Sequence, residues 1–290
     1  MSRKGEGSQS AEVVVALTVY KPVLTILERI SAEQCLDILH SHPIVVIAPE
    51  GLAIPPPLDR LPSERFDRTF FTSISSYSSL MLSCEFYQRF LAYRYLLLHQ
   101  LDAFVFRDEL LSWCARGYDY IGAPWIGEAF PNATETRKGL PFWIRSRLFR
   151  FLPSIDHSVG NGGFSLRRVR TMHRALTLLR RTRRAWGGRN EDGFWGIALP
   201  ECWWWYYRVP NVEEAMRFSF DVNPSQCYQQ TREKLPFGCH AWESHEPEFW
   251  LPHFTSVGHP FDVDHARAAA DRKPVRPSKR CKRKSQIDFE

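Results

Sequence analysis

The chain has 290 residues, of which 44% are hydrophobic, and a net charge of +6. This length is enough for one large domain or two small ones. The segment Arg272–Lys284 contains eight basic residues and no acid, which takes the total of +6 to −2 for the rest of the chain. A nucleic-acid-binding body is therefore not expected, and a nucleic-acid partner would depend on salt-dependent binding by this tail alone.

Seven cysteines are scattered along the chain without a C-x-x-C pair. This pattern argues against a disulfide framework or a structural zinc site and favours reduced thiols. The first apolar run, Val13–Val19, is too short and too β-branched for a signal peptide or a membrane span. We therefore expect a cytoplasmic protein.

The first half of the chain alternates between predicted strands and helices. In order, these are a strand at Val13–Val19, a helix opened by Pro22, strands at Ile44–Ala48 and Phe66–Thr72, a helix at Ser75–Phe90, a strand at Tyr95–Leu98, a short helix at Asp108–Ala115 and a strand at Tyr118–Pro124. This alternation predicts an α/β fold, with a mostly parallel central sheet and helices on both faces.

The second half is less regular. Residues 126–158 lose periodicity, which predicts a loop insertion or lid, and the chain beyond Phe220 is predicted to be mostly loops. A charged, proline-containing tail after about Asp262 is typical of disorder. We therefore predict a disordered N-terminus at 1–11, a single domain at 12–262, and a basic disordered tail at 263–290. Within the domain, residues 12–125 would form one half and residues 126–262 the other.

Gln100 and Asp102 follow the predicted strand at Tyr95–Leu98. Residues two apart in an extended segment point to the same side, and ligands of open α/β sheets bind beyond the carboxyl ends of the strands. The pair is therefore a candidate ligand-binding site. The alternative is that Asp102 only caps a turn.

Gly160-Asn161-Gly162-Gly163 precedes a predicted strand at Phe164–Leu166. Consecutive glycines let a ligand approach the backbone closely and leave amides free to donate, and Asn161 adds a side-chain amide. The alternative is a tight turn without a ligand.

Two acids, Glu191 and Asp192, follow Asn190 at the start of an apolar stretch that is predicted to be helical. Acids in this position are common helix-capping residues, but in a cleft one of them could be a general base. A later residue, His240, is interpreted either as a ligand-binding imidazole or as an ordinary hydrogen-bonded side chain.

The order of these motifs resembles the GT-A-fold glycosyltransferases. In those enzymes an Asp-x-Asp triplet closes a hydrophobic strand, and its last carboxylate holds a divalent cation on the nucleotide-sugar diphosphate. Asp102 matches that carboxylate, whereas Gln100 stands where the first Asp would be. The Glu191–Asp192 pair resembles an acidic pair that follows the glycine-rich strand in many inverting members and has counterparts in retaining ones. His240 is similar to a late histidine that completes the cation's coordination in several metal-dependent families.

Three longer stretches resemble a bacterial, largely uncharacterised family of glycosyltransferase-like domains. They are Tyr118–Trp125, Gly160–Arg167 and Asn190–Asp192. The resemblance extends over roughly Val13–Trp250, and it implies a GT-A-like fold and sugar transfer from a nucleotide-diphosphate donor to a saccharide or lipid-linked acceptor, in surface polysaccharide synthesis.

The resemblance also implies roles for individual residues. Asp192, with Glu191 as the substitute, would be the catalytic base if the reaction inverts, and Asp102 with His240 would hold Mn²⁺ or Mg²⁺. The residues expected to bind the nucleotide or the donor sugar are Thr18, Tyr20, Lys21, Ser79, Gln100, Asn161, Gly162 and Gly163. The basic tail would attach the enzyme peripherally to the anionic inner face of the membrane.

Two other interpretations are open. A nucleotidyltransferase would use the same donor, but Tyr20-Lys21-Pro22 is not the glycine-rich basic loop that such enzymes carry after the first strand. A degenerate GT-A-like domain would bind a sugar or a partner without turnover. Gln100 favours that interpretation, whereas the retained acids and His240 argue against it.

Overall fold

The structure, a computed structural model, describes residues 11–126, 159–186, 190–203 and 205–271. Its strands are β1 (Ala11–Thr18), β2 (Ile44–Pro49), β3 (Ser63–Phe66), β4 (Tyr93–His99), β5 (Ala103–Val105), β6 (Tyr120–Gly122), β7 (Phe164–Arg168), β8 (Ser219–Phe220) and β9 (Gly238–His240). Its helices are α1 (Ile26–Ile38), α2 (Ile74–Met81), α3 (Cys84–Arg89), α4 (Leu110–Ala115), α5 (Val169–Leu178), α6 (Arg180–Trp186), α8 (Val212–Phe218), α9 (Pro224–Gln230), α10 (Pro247–Ser256) and α11 (Val263–Asp271). Between α6 and α8, the segment α7 consists of Glu191–Gly193, π-helical Phe194–Ala198 and Leu199–Trp203.

The strands form two sheets. A six-stranded sheet has the order β3-β2-β1-β4-β7-β6, and a three-stranded sheet has the order β5-β9-β8. In the large sheet the first four strands are parallel, and β7 runs antiparallel to both of its neighbours. In the small sheet β9 is antiparallel to β5 and parallel to β8.

Both faces of the large sheet are covered. Along β1, Val13, Val15 and Leu17 belong to one buried cluster, whereas Val14 and Ala16 belong to another. Successive residues of a strand point to opposite faces, so an apolar residue at every position is typical of a strand buried on both sides. The predicted α/β fold, with a mostly parallel central sheet and helices on both faces, is confirmed.

Helix α1 begins later than predicted. Its N-cap is Thr25, whose side chain accepts from the backbone of Glu28, while the Glu28 carboxylate accepts from the backbone of Thr25. This reciprocal capping box satisfies two backbone donors, so Pro22 stays outside the helix. The helix is tied to the small sheet by hydrogen bonds from Ser31 Oγ and Gln34 Nε2 to the carbonyls of β5.

Two predictions in the first half are wrong in detail. Phe66–Thr72 is not a strand: β3 ends at Phe66, and Asp67 caps a 3-10 turn at Arg68–Phe71 by accepting from the backbone of Thr69. The predicted helix Ser75–Phe90 is two helices, because Ser83 caps a new start at Cys84.

The last third of the described chain is more helical than predicted, because it contains α8 to α11. Helix α11 continues the folded region to Asp271, beyond the predicted boundary at Asp262, and its Ala266 is fully buried. The predicted lid at 126–158, apart from its first residue, and the tail from 272 onward lie outside the described residues. Within the described ranges, no helix is long and apolar enough to span a bilayer.

Candidate active site

Three polar side chains meet beyond the carboxyl end of β4. His240 Nε2 lies 3.2 Å from Asp102 Oδ1 and 3.3 Å from Gln100 Oε1. The sheet register explains the meeting, because β5 starts directly after Asp102 and pairs its first residue, Ala103, with His240 of β9. Gln100 and Asp102 therefore face the same group, although Leu101 and Asp102 lie in a turn, closed by a hydrogen bond from the Ala103 amide to the Gln100 carbonyl, and not in an extended segment.

The other nitrogen of His240 is held by an acid that the sequence analysis missed. His240 Nδ1 lies 3.2 Å from Asp221 Oδ1, and Asp221 Oδ2 accepts a 2.5 Å hydrogen bond from Asn161 Nδ2. Asn161 Oδ1 accepts in turn from the Gly163 amide at 2.9 Å. Asp221 is buried and follows β8, so this chain of contacts joins the small sheet to the glycine turn before β7.

These contacts strongly affect the charge of His240. Burial lowers the pKa of the imidazole, but the Asp102 and Asp221 carboxylates outweigh it and raise the pKa to about 9. The raised pKa favours a protonated ring at neutral pH, with an acid next to each ring nitrogen.

Both glycines after Asn161 are required by close contacts. A Cβ on Gly163 would collide with His240 Nε2, and a Cβ on Gly162 would collide with Glu191 Oε1. Overlaps of this size cannot be relieved without moving the neighbouring side chains. The two adjacent glycines therefore let the side chains of Glu191 and His240 both lie close to one short backbone segment.

Glu191 is fixed by a buried arginine. Arg167 Nη2 donates to Glu191 Oε1 at 3.0 Å and to the Gly162 carbonyl at 3.1 Å, and Arg167 Nη1 donates to Tyr87 Oη at 3.0 Å. Burial acts to lower the pKa of Arg167, but Glu191, Tyr87 and Tyr120 hold it well above its usual range. Arg167 is therefore a permanent positive charge at this site.

The two predicted acids lie in the first turn of α7, and both are 6% exposed. Asp192 Oδ1 accepts from the Gly193 amide at 2.8 Å. Glu191 Oε2 is buried and has no hydrogen-bond partner among the described residues. A buried carboxylate oxygen without a partner is costly, so a ligand hydroxyl that donates to it would be stabilised.

The residues predicted for the donor side are only partly brought together. Thr18 ends β1, and its Oγ1 lies 2.8 Å from Tyr77 Oη. Lys21 forms an ion pair with Glu28 at 2.8 Å, and Tyr20 is 54% exposed.

Ser79 is not at the site. It is exposed, and its Oγ donates to the carbonyl of Ser75 in its own helix. Residues two apart on a helix point in nearly opposite directions, so α2 presents Tyr77 to Thr18 and turns Ser79 away. The Tyr77 phenol is also missing from the sequence-based set; its burial raises its pKa to about 12.

The side chain of Asn161 is surrounded by protein groups, whereas the resemblance implies that it contacts the nucleotide or the donor sugar. Its side-chain nitrogen and oxygen bind Asp221 and the Gly163 amide, and the residue is 1% exposed. Trp195 and Trp242 are fully buried in the core, so neither offers a ring face for a sugar to stack on.

The His240 group has the composition of a divalent-cation site. Asp102 and His240 supply a carboxylate and an imidazole, and Gln100 adds a neutral amide oxygen, which suits ions such as Mn²⁺. The Asp221 contact orients the ring so that Nε2 faces the other two, as carboxylates do behind metal-binding histidines. No group of three or more His, Cys, Asp and Glu residues arranged for a metal occurs in the part of the chain that the structure describes.

The comparison with protein families places the site inside a known family. A family model described as a protein of unknown function (DUF5672) matches residues 60–240, which is more than half of the chain and includes Gln100, Asp102 and the acidic pair. The chain belongs to the DUF5672 family. No curated protein matches this DUF5672 chain.

Solved structures similar to this DUF5672 chain include several glycosyltransferases. The bifunctional glycosyltransferase WbbM aligns with a TM-score of 0.49 and 10% identity over 91% of this chain and 52% of its own. The galactosyltransferase LgtC in complex with donor and acceptor sugar analogues aligns with a TM-score of 0.47 and 12% identity over 91% and 97% of the two chains. Mouse xyloside xylosyltransferase 1 aligns with a TM-score of 0.43 and 12% identity over 79% and 97%.

At these identities the alignments concern the fold alone. All three TM-scores are below 0.5, so the description of the DUF5672 chain as a mixed α/β fold with a mostly parallel central sheet rests on its own strand order.

Proposed function

We propose that this DUF5672 protein is a metal-dependent glycosyltransferase. It transfers a sugar from a nucleotide-diphosphate donor to a saccharide or lipid-linked acceptor, in the cytoplasm and in the synthesis of surface polysaccharide. One observation carries the proposal: Asp102, Gln100 and His240 Nε2 converge at the carboxyl end of β4, with the second ring nitrogen of His240 held by Asp221. This is where an open α/β sheet binds its ligand.

On the donor side, Asp102 and His240 would hold Mn²⁺ or Mg²⁺, with Gln100 beside them. The bound cation neutralises the charge that develops on the departing nucleotide diphosphate. Asp221 keeps the His240 ring in the orientation that presents Nε2. Thr18, with Tyr77 hydrogen-bonded to it, would line the nucleotide pocket at the end of β1, beside Lys21 and Tyr20.

The glycine turn would form the wall next to the donor sugar. Gly162 and Gly163 let Glu191 and His240 lie directly against the backbone, because a Cβ at either position would overlap them. Asn161 supports that wall through Asp221 and the Gly163 amide, which assigns it to positioning rather than to direct sugar contact.

On the acceptor side, Asp192 would take the proton of the attacking hydroxyl if the reaction inverts. Glu191 is paired with Arg167 through one oxygen, and its other oxygen would accept a hydrogen bond from a sugar hydroxyl. The same two acids would position the acceptor if the configuration is retained.

A thermal-shift screen of nucleoside diphosphates and nucleotide sugars, with and without Mn²⁺, tests the donor site. A ligand that binds the native state raises the apparent melting temperature, and the hit identifies the base and the metal. Transfer of labelled sugar to acceptor should then be lost in Asp102→Ala and Asp192→Ala. Equal transfer by wild type and by both variants would remove the assignment.

A second function is favoured by one residue. Gln100 brings no charge where GT-A enzymes have a first aspartate, as expected of a degenerate domain that binds sugar without turnover. The structure places the Gln100 oxygen 3.3 Å from His240 Nε2, so an oxygen still faces the proposed metal. Metal-dependent nucleotide binding with no transfer to any acceptor would support the degenerate domain.

A further inference from the structure

A basic surface lies on α5 and α6, apart from the site described above. From Arg168 to Trp186 the chain contains seven arginines and no acid. Arg170, Arg174, Arg180, Arg181 and Arg184 are exposed. A surface that carries one sign of charge over two consecutive helices favours an anionic partner.

The basic surface is concave on one side. A cleft of about 480 Å³ is lined by Cys84, Leu176, Arg180, Arg183 and Arg184. Arg183 is fixed there, because its Nη1 donates to the Leu82 carbonyl at 2.9 Å. Three guanidinium groups around one cleft are suited to a phosphate-sized anion, since arginine recognises phosphate oxygens with paired donors.

Large apolar side chains are exposed beside the arginines. Leu178 is 68% exposed one helical turn after Arg174, and Trp205 and Tyr206 are 63% and 46% exposed. Tyr206 is adjacent to α5, because its hydroxyl accepts from Arg174 Nη1 at 3.2 Å. Exposed leucine, tryptophan and tyrosine amid arginines are typical of surfaces that enter the headgroup region of a bilayer.

We propose that this surface, formed by Arg170, Arg174, Leu178, Arg181, Trp205 and Tyr206, docks the protein on a bilayer that contains anionic lipids, with the arginine cleft taking a lipid headgroup phosphate. Nucleic acid would satisfy the arginines but would leave the leucine exposed, so the apolar residues favour the bilayer. The inference is separate from the basic tail at 272–290. It also does not depend on the proposed sugar transfer.

Sedimentation with vesicles tests this inference on the full-length chain. Vesicles of phosphatidylcholine alone are compared with vesicles that also contain phosphatidylglycerol. Wild type should bind the anionic vesicles. The variant Arg170→Gln/Arg174→Gln/Arg181→Gln should partition onto them at least about tenfold more weakly, because each basic residue near an anionic surface adds to the free energy of binding. The corresponding Arg→Lys variant should bind close to wild type, because it keeps the charge.

The matched control is Arg29→Gln/Arg60→Gln/Lys234→Gln, which removes the same charge from exposed positions elsewhere and should leave partitioning unchanged. Leu178→Ser/Trp205→Ser should weaken the binding that survives at high salt, where charge attraction is screened. A further full-length variant carries Gln at the eight basic positions of Arg272–Lys284 and should retain binding through the helical surface.

Three results would overturn the inference. They are equal partitioning of wild type and the triple glutamine variant, complete loss of binding in the tail variant, and loss of single-stranded RNA binding in the triple variant without any change on vesicles.

Discussion

At the scale of single residues, the glycine pair offers a matched test of the site. Gly163→Ala should displace His240, because the new methyl group would overlap its Nε2. Misplacing a metal ligand or its support costs roughly 10–100-fold in metal affinity, and we expect a loss of that order. Calorimetric titration of Mn²⁺ in the presence of a nucleoside diphosphate measures it.

Gly162→Ala is the control for this prediction, since its methyl group would overlap Glu191 Oε1 instead. We expect nearly normal Mn²⁺ binding and slower sugar transfer. If both variants changed metal affinity equally, the two sides of the turn would not be separate binding regions.

Asp221 provides a second residue-scale prediction. Asp221→Asn keeps the shape of the side chain but removes the charge that faces His240 Nδ1 and the Asn161 amide. Because the carboxylate behind a ligating imidazole fixes its orientation, Mn²⁺ affinity should fall roughly 10-fold or more. The same titration measures the change, and circular dichroism checks the fold. An unchanged affinity would show that the ring is held without Asp221.

The buried pair of Arg167 and Glu191 concerns stability. Arg167→Met should destabilise the protein by roughly 3–5 kcal/mol, because Glu191 would remain as a buried charge without its partner. The double variant Arg167→Met/Glu191→Gln should recover part of that loss, since the uncompensated charge is gone. Urea denaturation of the single and double variants measures the difference. A double variant less stable than Arg167→Met would contradict this account.

Gln100 and Asp102 could be predicted as candidate ligand-binding residues because they follow a strand that is readable from the sequence. His240 could be predicted because it resembles a late histidine of GT-A enzymes. Asp221 could not be predicted in this way, since β8 has only two residues and leaves no periodic signal. Ser79 lies on the exposed side of α2, whereas Tyr77 of the same helix contacts Thr18. Without the N-cap at Ser73 the helical phase was undetermined, and the phase decides that Tyr77 rather than Ser79 faces β1.

At the scale of elements, α11 extends the folded region beyond the predicted boundary at Asp262. Ala266 is fully buried, whereas Ala268, two residues on, is exposed. Ala266→Asp should destabilise the protein by about 1–3 kcal/mol, because a polar group would be buried without a partner. Ala268→Asp should change the stability by less than about 0.5 kcal/mol. Chemical denaturation compares the two variants. Equal stability would show that α11 does not pack on the domain.

The wrong element boundaries have two local causes: a capping side chain and prolines at the first positions of helices. The run from Phe66 to Thr72 is aromatic and β-branched, but Asp67 caps a turn inside it, and a local side-chain hydrogen bond of this kind competes with strand pairing. Two of the three described helices beyond Phe220 begin with a proline, Pro224 and Pro247. Proline is favourable at the first position of a helix, yet in a single sequence it is easily interpreted as a loop signal.

At the scale of the whole molecule, the candidate site joins the two sheets. Gln100 and Asp102 follow a strand of the large sheet, whereas His240 and Asp221 come from the small one. The resemblance to GT-A enzymes could predict that Asp102 and His240 meet. The pairing of β5 with β9 that brings them together depends on long-range contacts, which local patterns do not encode.

This arrangement predicts how the protein responds to its ligands. A nucleoside diphosphate with Mn²⁺ would contact residues of both sheets, so it should stabilise both against unfolding. At a ligand concentration of 100 times the dissociation constant, the gain is about 2.7 kcal/mol, which corresponds to a melting temperature raised by roughly 5 °C or more. Thermal unfolding followed by far-ultraviolet and near-ultraviolet circular dichroism should show one coincident transition that moves as a whole. His240→Gln should lose the Mn²⁺-dependent part of the rise in melting temperature, because His240 is the proposed metal ligand that comes from the small sheet. Two separate transitions, of which only one responds to ligand, would mean that the ligand does not bridge the sheets.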